Sequence, residues 1–352
     1  MSEFSIKVNP LTSNLLDNTQ QNNKKKSISF CCMIVLAIVF IIVIMTAFGI
    51  WYYYFNKDNQ ITNNLRIIGI SCEDKTTHLK LQTNNMNFEN FFALPHHDGC
   101  ISGIYPSIYA STNNNFTTIL KSQSGSQHVL YTIKVKDKKP TFVDIPNDNN
   151  LWLYGLTYFD KPNVVIGTNA NHTTNILNIG LWDVTIGGQY QIIGSVDLPG
   201  RIYYNNEGVW SDDRYYVTFI NHTLGGRFER NLLIFNTKNY TNQYIKLDMS
   251  PNVDFTRLLN YKDSLISWCF NKDGINLCSI NKNTFEVKIN NFKFDDLYNI
   301  YGNAVIIGDD LYTMIYFVRV DNAFWVKVNL KSLSYKYLDK SQITHAASVV
   351  YL

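Results

Sequence analysis

Residues Trp210–Asn221, "WSDDRYYVTFIN", give the first indication of the fold, because an acidic turn leads directly into β-branched and aromatic residues. Related segments are "YFDKPNVVIGTN" around Asp160, "NYKDSLISWCFN" around Asp263 and "IGDDLYTMIYF" around Asp310. The acidic residues of successive copies, counted with Asp213, are separated by 53, 50 and 47 residues. Short runs of this composition between turn residues are typical of strands and predict an all-β fold.

A second pattern recurs with a similar period. It consists of a strand, a polar turn and a further strand, and it is centred on Asp183, Asn236, Asn281 and Asn329. These centres are separated by 53, 45 and 48 residues. Because both patterns advance together, they indicate one supersecondary unit that is repeated along the chain.

This repeat resembles the blade of the β-propeller superfamily, in which each unit of about 40–50 residues forms a four-stranded sheet. The resemblance covers residues 65–352 and depends on period and strand pattern, since WD40, kelch and Asp-box signatures are absent. Six blades are expected from the unit count and the two chain ends, with five or seven as alternatives and a β-sandwich as the second fold class. Five units fill residues 91–340, and "HLKLQTN" and "ASVVYL" from the two ends are expected to complete a sixth blade. Such closure removes exposed sheet edges.

An apolar segment precedes the repeats. Residues 30–55, "FCCMIVLAIVFIIVIMTAFGIWYYYF", contain no charged side chain. A helix of about 20 apolar residues spans a bilayer, and the aromatic residues at positions 51–54 suit the headgroup layer. A cleaved signal peptide would have a shorter apolar core and a small-residue cleavage site. The segment is therefore predicted to be a retained signal anchor, and the bilayer is one expected partner.

The charges that flank the segment predict its orientation. Lys24, Lys25 and Lys26 precede it, whereas Lys57 is balanced by Asp58 after it. The positive-inside tendency places the N-terminus in the cytosol and the repeats outside the cell or in the secretory lumen. The predicted organisation is a disordered cytosolic tail (1–28), a transmembrane signal anchor (29–55), a short linker (56–64) and a lumenal or extracellular propeller (65–352).

Four glycosylation sequons follow the apolar segment, at Asn115, Asn171, Asn221 and Asn239. Sequons are modified only on the lumenal side of the secretory pathway. Their position agrees with the orientation deduced from charge. Together the two features predict a single-pass type II membrane glycoprotein of the plasma membrane or the secretory pathway.

The six cysteines fall into two groups. Cys31 and Cys32 lie at the expected inner edge of the membrane, where they suit S-palmitoylation or serve as ordinary apolar residues of the helix. Four cysteines remain on the oxidising side, at positions 72, 100, 269 and 278. An even number in that compartment predicts two disulfides, for which three connectivities exist.

Residues 267–280, "SWCFNKDGINLCSI", give the first pairing. An Asp-Gly turn in a two-residue hairpin places Cys269 directly opposite Cys278, at a separation that a disulfide spans. A zinc clip would need four ligands, and two are present. The remaining disulfide, between Cys72 and Cys100, would tie the entry strand to the first full blade.

The histidine cluster "LPHHDGC" supplies His96, His97 and Asp98 as candidate ligands. Adjacent residues of a strand point to opposite faces, so the two imidazoles share a metal ion only if a loop folds them together. A solvated loop at the entrance to the first blade is the alternative. No metal ion or other cofactor is expected.

The acidic doublets at positions 212–213, 295–296 and 309–310 are the other candidates. Carboxylates at a propeller mouth could bind calcium or supply the acid pair of glycoside hydrolysis. Asp is also favoured at turns because its side chain bonds its own backbone, and this structural interpretation is preferred. The candidate ligand residues are Asp213, Asp263 and Asp310.

Neither the motifs nor the charge of the chain indicates catalysis or nucleic-acid binding. The sequence contains no G-x-S-x-G, H-E-x-x-H, P-loop or EF-hand pattern. The net charge is +3, and the basic residues do not form a stripe. The expected function is recognition of a protein or a glycan, with glycans kept away from the mouth that binds the ligand. The alternatives are a membrane-anchored hydrolase of glycosides or phosphate esters, and a structural or assembly role.

Overall fold

The computed structural model describes most of the predicted helix and propeller. The described residues are 32–54, 56–57, 65–73, 76–82, 88–93, 104–110, 115–121, 128–134, 139–145, 151–160, 163–171, 175–183, 190–198, 201–203, 208–222, 228–250, 253–255, 258–271, 274–292, 299–317, 322–341 and 346–351. The predicted tail (1–28) and Cys31 lie outside them. The chain divides into two compact units, residues 1–61 and 62–352.

The first unit contains helix α1, Cys32–Tyr54, whose 23 residues have a mean hydropathy of 3.1. A continuous apolar run without proline satisfies its backbone within the helix, as a hydrocarbon environment requires. The Thr46 hydroxyl is also satisfied internally, because it donates to the Ile42 carbonyl at 2.6 Å. The helix is therefore long and apolar enough to cross a membrane, at the position that the sequence predicts.

The second unit consists of antiparallel sheets, numbered here in chain order. Sheet 1 has the order β26-β1-β2-β3, with β1 (Leu65–Glu73), β2 (Thr76–Gln82), β3 (Phe88–Ala93) and β26 (Ala346–Tyr351). Sheet 2 has the order β4-β5-β6-β7, with β4 (Ile104–Ala110), β5 (Asn115–Lys121), β6 (His128–Lys134) and β7 (Lys139–Ile145). Sheet 3 has the order β11-β10-β9-β8, with β8 (Leu151–Tyr158), β9 (Val164–Asn171), β10 (Ile176–Asp183) and β11 (Gln191–Asp197).

The other three sheets repeat this arrangement. In sheet 4 the first strand has two parts that both pair with β14: β12 (Arg201–Tyr203), β13 (Gly208–Ser211), β14 (Arg214–His222), β15 (Phe228–Asn236) and β16 (Asn242–Lys246). Sheet 5 is built in the same way around β19: β17 (Asp254–Phe255), β18 (Leu259–Tyr261), β19 (Ser264–Asn271), β20 (Gly274–Asn281) and β21 (Val287–Asn291). Sheet 6 has the order β22-β23-β24-β25, with β22 (Asn299–Ile307), β23 (Asp310–Phe317), β24 (Asn322–Asn329) and β25 (Tyr335–Ser341).

Within the described residues, the first strands of the six sheets contact one another in cyclic order, from β4 through β8, β13, β18, β22 and β26 back to β4. Radial sheets around a ring of first strands are the architecture of a β-propeller, so the predicted fold class is confirmed. The ring is closed by sheet 1, in which Leu65 of β1 pairs with Tyr351 of β26. This is the shared sheet that the two chain ends predict.

The core lies between adjacent sheets. Central strands are buried on both faces, as in β15, where the run Asn231–Phe235 is buried throughout. Val217 and Phe235 pack against sheet 3, whereas Tyr216 and Leu232 pack against sheet 5. The alternation of strands therefore supplies both neighbouring interfaces from one sheet.

The hairpin between β19 and β20 contains the disulfide between Cys269 and Cys278, whose Cα atoms are 5.8 Å apart. Its predicted register is wrong by two residues. Cys269 pairs with Asn276 and Cys278 pairs with Ser267, so the disulfide runs diagonally between the strands. Both cysteines are fully buried in the core between sheets 4 and 5.

Candidate functional site

The candidate site is the end of the ring at which the acidic turns lie, here called the turn end. In an antiparallel sheet the hairpin between strands one and two and the hairpin between strands three and four lie at the same end. The turn end is defined by residues 212–213 and 237–241 of sheet 4, 262–263 and 282–286 of sheet 5, and 308–309 and 330–334 of sheet 6.

One backbone hydrogen bond joins the two hairpins in each of these sheets. The N–H of Thr237 donates to the Asp213 carbonyl at 2.8 Å, that of Lys282 to Asp263 at 2.8 Å and that of Leu330 to Asp309 at 2.8 Å. The repeated acidic residue therefore marks a structural position. In sheet 4 the turn requires positive φ, 53° at Asp212 and 59° at Asp213, which Asp tolerates better than most residues.

The second repeated marker also stabilises its own turn. The side-chain oxygens of Asn236, Asn281 and Asn329 each accept hydrogen bonds from the backbone N–H groups two and three residues later, at 2.8 to 3.2 Å. This Asx geometry ends the third strand and begins the turn to the fourth. Both sequence markers thus arise from one hairpin architecture.

The three candidate carboxylates have different surroundings. Asp213 forms an ion pair with Lys238 at 2.6 Å, and this bond raises the pKa of Lys238. Asp310 pairs with Lys327 at 2.9 Å and accepts a hydrogen bond from the Asn329 amide at 2.9 Å. Asp263 is exposed in its turn. Each of these carboxylates belongs to a different sheet.

The sequence alignment of Asp310 with Asp213 and Asp263 is wrong by one residue. Asp310 is the first residue of β23 and pairs with Ile307, whereas Asp309 makes the turn-joining hydrogen bond. The doublet is ambiguous in sequence because either Asp suits a turn. The structure distinguishes them through the β22–β23 register.

Asp309 joins sheets 5 and 6. Its Oδ1 accepts hydrogen bonds from the Tyr261 hydroxyl and the Lys262 ammonium, both at 2.7 Å, and its Oδ2 pairs with Lys331 at 2.5 Å. These bonds, with that of Lys262 the largest influence, hold the pKa of Asp309 well below its usual range. This carboxylate is consequently a fixed anion at the boundary between two sheets.

Lys282 joins sheets 4 and 5. Its ammonium is buried and donates to Asp212 Oδ2 at 2.8 Å, Asn260 Oδ1 at 3.1 Å and Ser211 Oγ at 3.4 Å. Hydrogen bonds from Lys282 and Ser211 lower the pKa of Asp212. Sequence reasoning missed this residue because a lysine in a polar turn gives no sign that it will be buried.

The described turn end does not assemble a catalytic or metal-binding cluster from the predicted residues. Among the described residues, no group of three His, Cys, Asp or Glu side chains is placed to hold a metal ion. Asp213, Asp263 and Asp310 are not brought together there, since two of them bind lysines of their own sheets. The cluster of His96, His97 and Asp98 lies outside the described residues.

The four sequons occupy both ends of the ring. Asn115 begins β5 and Asn239 lies in a turn-end hairpin, whereas Asn171 ends β9 and Asn221 is the next-to-last residue of β14. Sequons are thus present at both ends of the ring, and the expectation that glycans avoid the ligand-binding mouth stays a prediction. Asn239 is exposed, and its Oδ1 accepts a hydrogen bond from the Thr241 hydroxyl at 2.7 Å.

The structure describes two of the remaining predicted cysteine sites, Cys32 and Cys72. Cys32 is an exposed free cysteine of α1. Cys72 lies in β1, opposite Thr77, and Cys100 is outside the described residues. The second disulfide and palmitoylation remain predictions.

The sequence does not reveal an exposed aromatic pair on the outermost strand of sheet 6. Tyr335 and Tyr337 are 37% and 44% exposed. Their ring centroids are 5.8 Å apart with an interplanar angle of 83°. Alternating tyrosines in a strand predict a common face, but whether that face is buried depends on which strand is outermost.

Several solved structures are similar to this chain at low sequence identity. The β-propeller domain of the Trilobed protease from Pyrococcus furiosus is 8% identical, with a TM-score of 0.48 over 81% of this chain and 91% of that one. The Synechocystis apocarotenoid oxygenase, in a cobalt-substituted form, is 9% identical, with a TM-score of 0.46 over 80% and 72%. The oligogalacturonate lyase of Vibrio parahaemolyticus is 12% identical, with a TM-score of 0.46 over 78% and 79%.

These similarities concern the fold alone. No protein-family profile and no curated protein sequence matches this chain. Sheet order and ring closure identify the described part of residues 65–351 as a β-propeller.

Proposed function

We propose that this protein is a single-pass type II membrane glycoprotein whose six-bladed propeller is a recognition module for a protein or glycan ligand. Helix α1 anchors it in the bilayer, and the propeller lies outside the cell or in the secretory lumen. The charges around residues 24–58 and the four sequons support this orientation.

The observation that carries the recognition role is the way the turn end uses its charged side chains. Asp212 binds Lys282 of the neighbouring sheet, and Asp309 binds Lys262 in the same way. Charges that are committed to joining sheets stabilise a rigid ring. A rigid ring presents loops and outer strands as fixed surfaces, which is how scaffolds support binding.

The membrane topology is tested with the full chain expressed in cells that have a secretory pathway. Digestion with an N-glycosidase is expected to increase its gel mobility, and Asn239→Gln to remove one step of that shift. Protease added to sealed microsomes is expected to remove only the N-terminal tail. Degradation of the propeller in sealed microsomes would overturn the proposed orientation.

The recognition role is tested by immobilising the full chain in lipid nanodiscs and exposing it to glycan arrays and to libraries of extracellular proteins. Saturable capture of an intact ligand is the expected result. Release of reducing sugar or inorganic phosphate, lost in an Asp98→Asn variant, would replace recognition with the hydrolase alternative.

A further inference from the structure

The outermost strand of sheet 6, β25, is the surface from which this inference begins. Within the described residues no further strand pairs with it, because it ends the order β22-β23-β24-β25. Tyr335 and Tyr337 are two residues apart, so they lie on one face of the strand. An edge strand with side chains of this size offers both main-chain hydrogen-bonding groups and apolar contact area.

The two tyrosines are held by a chain of rings that leads into the core. Tyr335 contacts Phe292, which directly follows β21 of sheet 5, at 5.9 Å between centroids, and Phe292 contacts the buried Trp268 at 5.8 Å. Tyr337 contacts Phe324 at 5.8 Å. All three contacts are edge-to-face. Rings that are already fixed lose little conformational entropy on binding, which is the property of an interface anchor.

Other outer strands have an exposed residue at the position of Tyr337, but they do not have the aromatic pair. Residues at this register position pair with the same third-strand position in four sheets and are exposed, namely Ile192, Tyr244, Ile289 and Tyr337. Among the described side chains of β11, β16, β21 and β25, only β25 has a second exposed aromatic residue within the strand. Tyr244, also 44% exposed, is therefore a natural control.

The sequons leave this part of the ring free of predicted glycans. Asn115 lies in sheet 2, Asn171 in sheet 3, and both Asn221 and Asn239 in sheet 4 or its turn. Sheets 5, 6 and 1, which follow one another around the ring, contain none of the four sequons. Strand β25 lies in the middle of that sector, so its outer edge remains accessible when all four sequons are occupied.

The charge of β25 and the preceding turn indicates which kind of partner binds to this open edge. Residues 331–341, "KSLSYKYLDKS", contain three lysines and one aspartate, a net charge of +2. Two copies of this edge would bring like charges together, which is a known means of preventing edge-to-edge pairing. An acidic strand would instead meet complementary charge. The perpendicular rings of Tyr335 and Tyr337 do not form the flat platform on which a sugar chain stacks.

We propose that β25 binds an acidic, extended segment of a partner protein by strand addition. The segment pairs with the β25 backbone, its apolar residues contact Tyr335 and Tyr337, and its carboxylates face Lys336 on the opposite face of the strand. This inference rests on the proposed recognition function and assigns that function to one surface and one class of ligand.

The experiment uses the full chain in nanodiscs and fluorescein-labelled peptides of about eight residues, the length of a paired strand. The probes are an alternating Glu-Val peptide, its Lys-Val counterpart and a Glu-Pro peptide, in which proline prevents strand pairing. Fluorescence anisotropy at about 0.15 M salt measures binding. Hydrogen exchange of residues 335–341 reports whether β25 gains protection.

The Glu-Val peptide is expected to bind and to protect β25. The double variant Tyr335→Ser/Tyr337→Ser should weaken its affinity by at least about tenfold, which corresponds to about 1.4 kcal/mol. Lys336→Glu should lower the affinity for the Glu-Val peptide relative to the affinity for the Lys-Val peptide. The matched control Tyr244→Ser, on the outer strand of sheet 4, should leave the affinity unchanged.

Four results would overturn the proposal. The first is that the Glu-Val peptide does not bind, and the second is that the Glu-Pro peptide binds equally well. The third is that the β25 variants bind the Glu-Val peptide as well as the wild type does. The fourth is that a heparin-derived hexasaccharide binds in place of the peptide and depends on the same side chains. A self-association that is lost in the tyrosine variant would reassign the surface to a second copy of the chain. If nanodisc capture of another ligand survives in these variants, only this assignment fails, whereas product release would overturn the recognition role itself.

Discussion

Replacing Asp212 with Asn is expected to destabilise the propeller more than replacing its partner Lys282 with Met. The reason is the unequal burial of the two side chains, since that of Lys282 is 8% exposed and that of Asp212 is 74% exposed. Without the carboxylate, a buried ammonium loses its counter-charge, which is costly. Without the ammonium, the carboxylate simply returns to water, and Met keeps the packing of the lysine stem.

The magnitudes follow from that asymmetry. Removing one partner of a fully buried pair costs about 3–5 kcal/mol, and the exposure of Asp212 together with the acceptors Asn260 and Ser211 reduces this to about 1–2 kcal/mol. Lys282→Met is expected to cost about 0.5 kcal/mol or less, because no buried charge remains. Asn tolerates the positive φ at position 212, so backbone strain does not contribute.

The assay is denaturant unfolding of the full chain in detergent, with Asp213→Asn as the matched control. Asp213 lies in the same turn with a similar φ, but its partner Lys238 is exposed, so this variant should leave the free energy of unfolding nearly unchanged. The cost of Asp212→Asn should disappear in a Lys282→Met background. If Lys282→Met proves the more damaging of the two single variants, the argument from burial is wrong.

Acid should remove the same difference. The pKa of Asp212 is lowered in the folded protein by bonds from Lys282 and Ser211. Its contribution is therefore complete above the unfolded pKa of about 4 and is lost as the pH falls through the folded value. Wild type and Asp212→Asn should accordingly converge in stability below about pH 4, and a difference that widens there would contradict this sign.

Three further predictions concern other parts of the ring. Thr218 is fully buried, and its hydroxyl has no hydrogen-bond partner among the described residues. The isosteric Thr218→Val variant should therefore raise the free energy of unfolding by about 1 kcal/mol. A lower free energy of unfolding in urea titration would show that the hydroxyl is bonded. Replacing both Cys269 and Cys278 with Ala should lower that free energy by about 2–3 kcal/mol relative to the oxidised protein, measured without reductant, and an equal midpoint would refute the contribution of the disulfide. Asp309→Asn should shift the thermal midpoint downward at pH 7 but not at strongly acidic pH. The reason is that the pKa of Asp309 is lowered in the folded protein, so the bonds of this carboxylate depend on its ionisation. An equal shift at both pH values would contradict this dependence.

The ring and its closure could be predicted because they depend on signals that the sequence repeats. Acidic turns, polar third-strand ends and alternating strands recur in register, and each proved to be a hydrogen-bonded feature of the same hairpin. The last strand was recognisable because an isolated apolar segment at one end needs a partner, and β1 supplies it.

The register of the disulfide hairpin could not be predicted from the same signals. A shift of two residues leaves every side chain on its original face, so Cys269 and Cys278 face sheet 4 in either register. The Asp-Gly turn favoured one solution, but the structure pairs Asn271 with Gly274. Hydrophobic alternation has no power to separate these two arrangements.

The buried amine of Lys282 and the exposed pair at Tyr335 and Tyr337 were invisible for a different reason. Both depend on contacts between sheets, and repeat patterns specify a sheet without specifying what its neighbour places beside it. A lysine in a turn and tyrosines in a strand have the same local sequence whether they are buried or exposed. Only the assembled ring assigns them their surroundings.

The pairing of β1 with β26 has a consequence for biosynthesis. Leu65 must wait for Tyr351, 286 positions later, and at about 5–20 residues per second this interval lasts about 15–60 s. Throughout that time β1 lacks its neighbour on one side. The nascent chain therefore presents an open strand to the folding machinery of its compartment, and the speed of translation sets how long that strand must be protected.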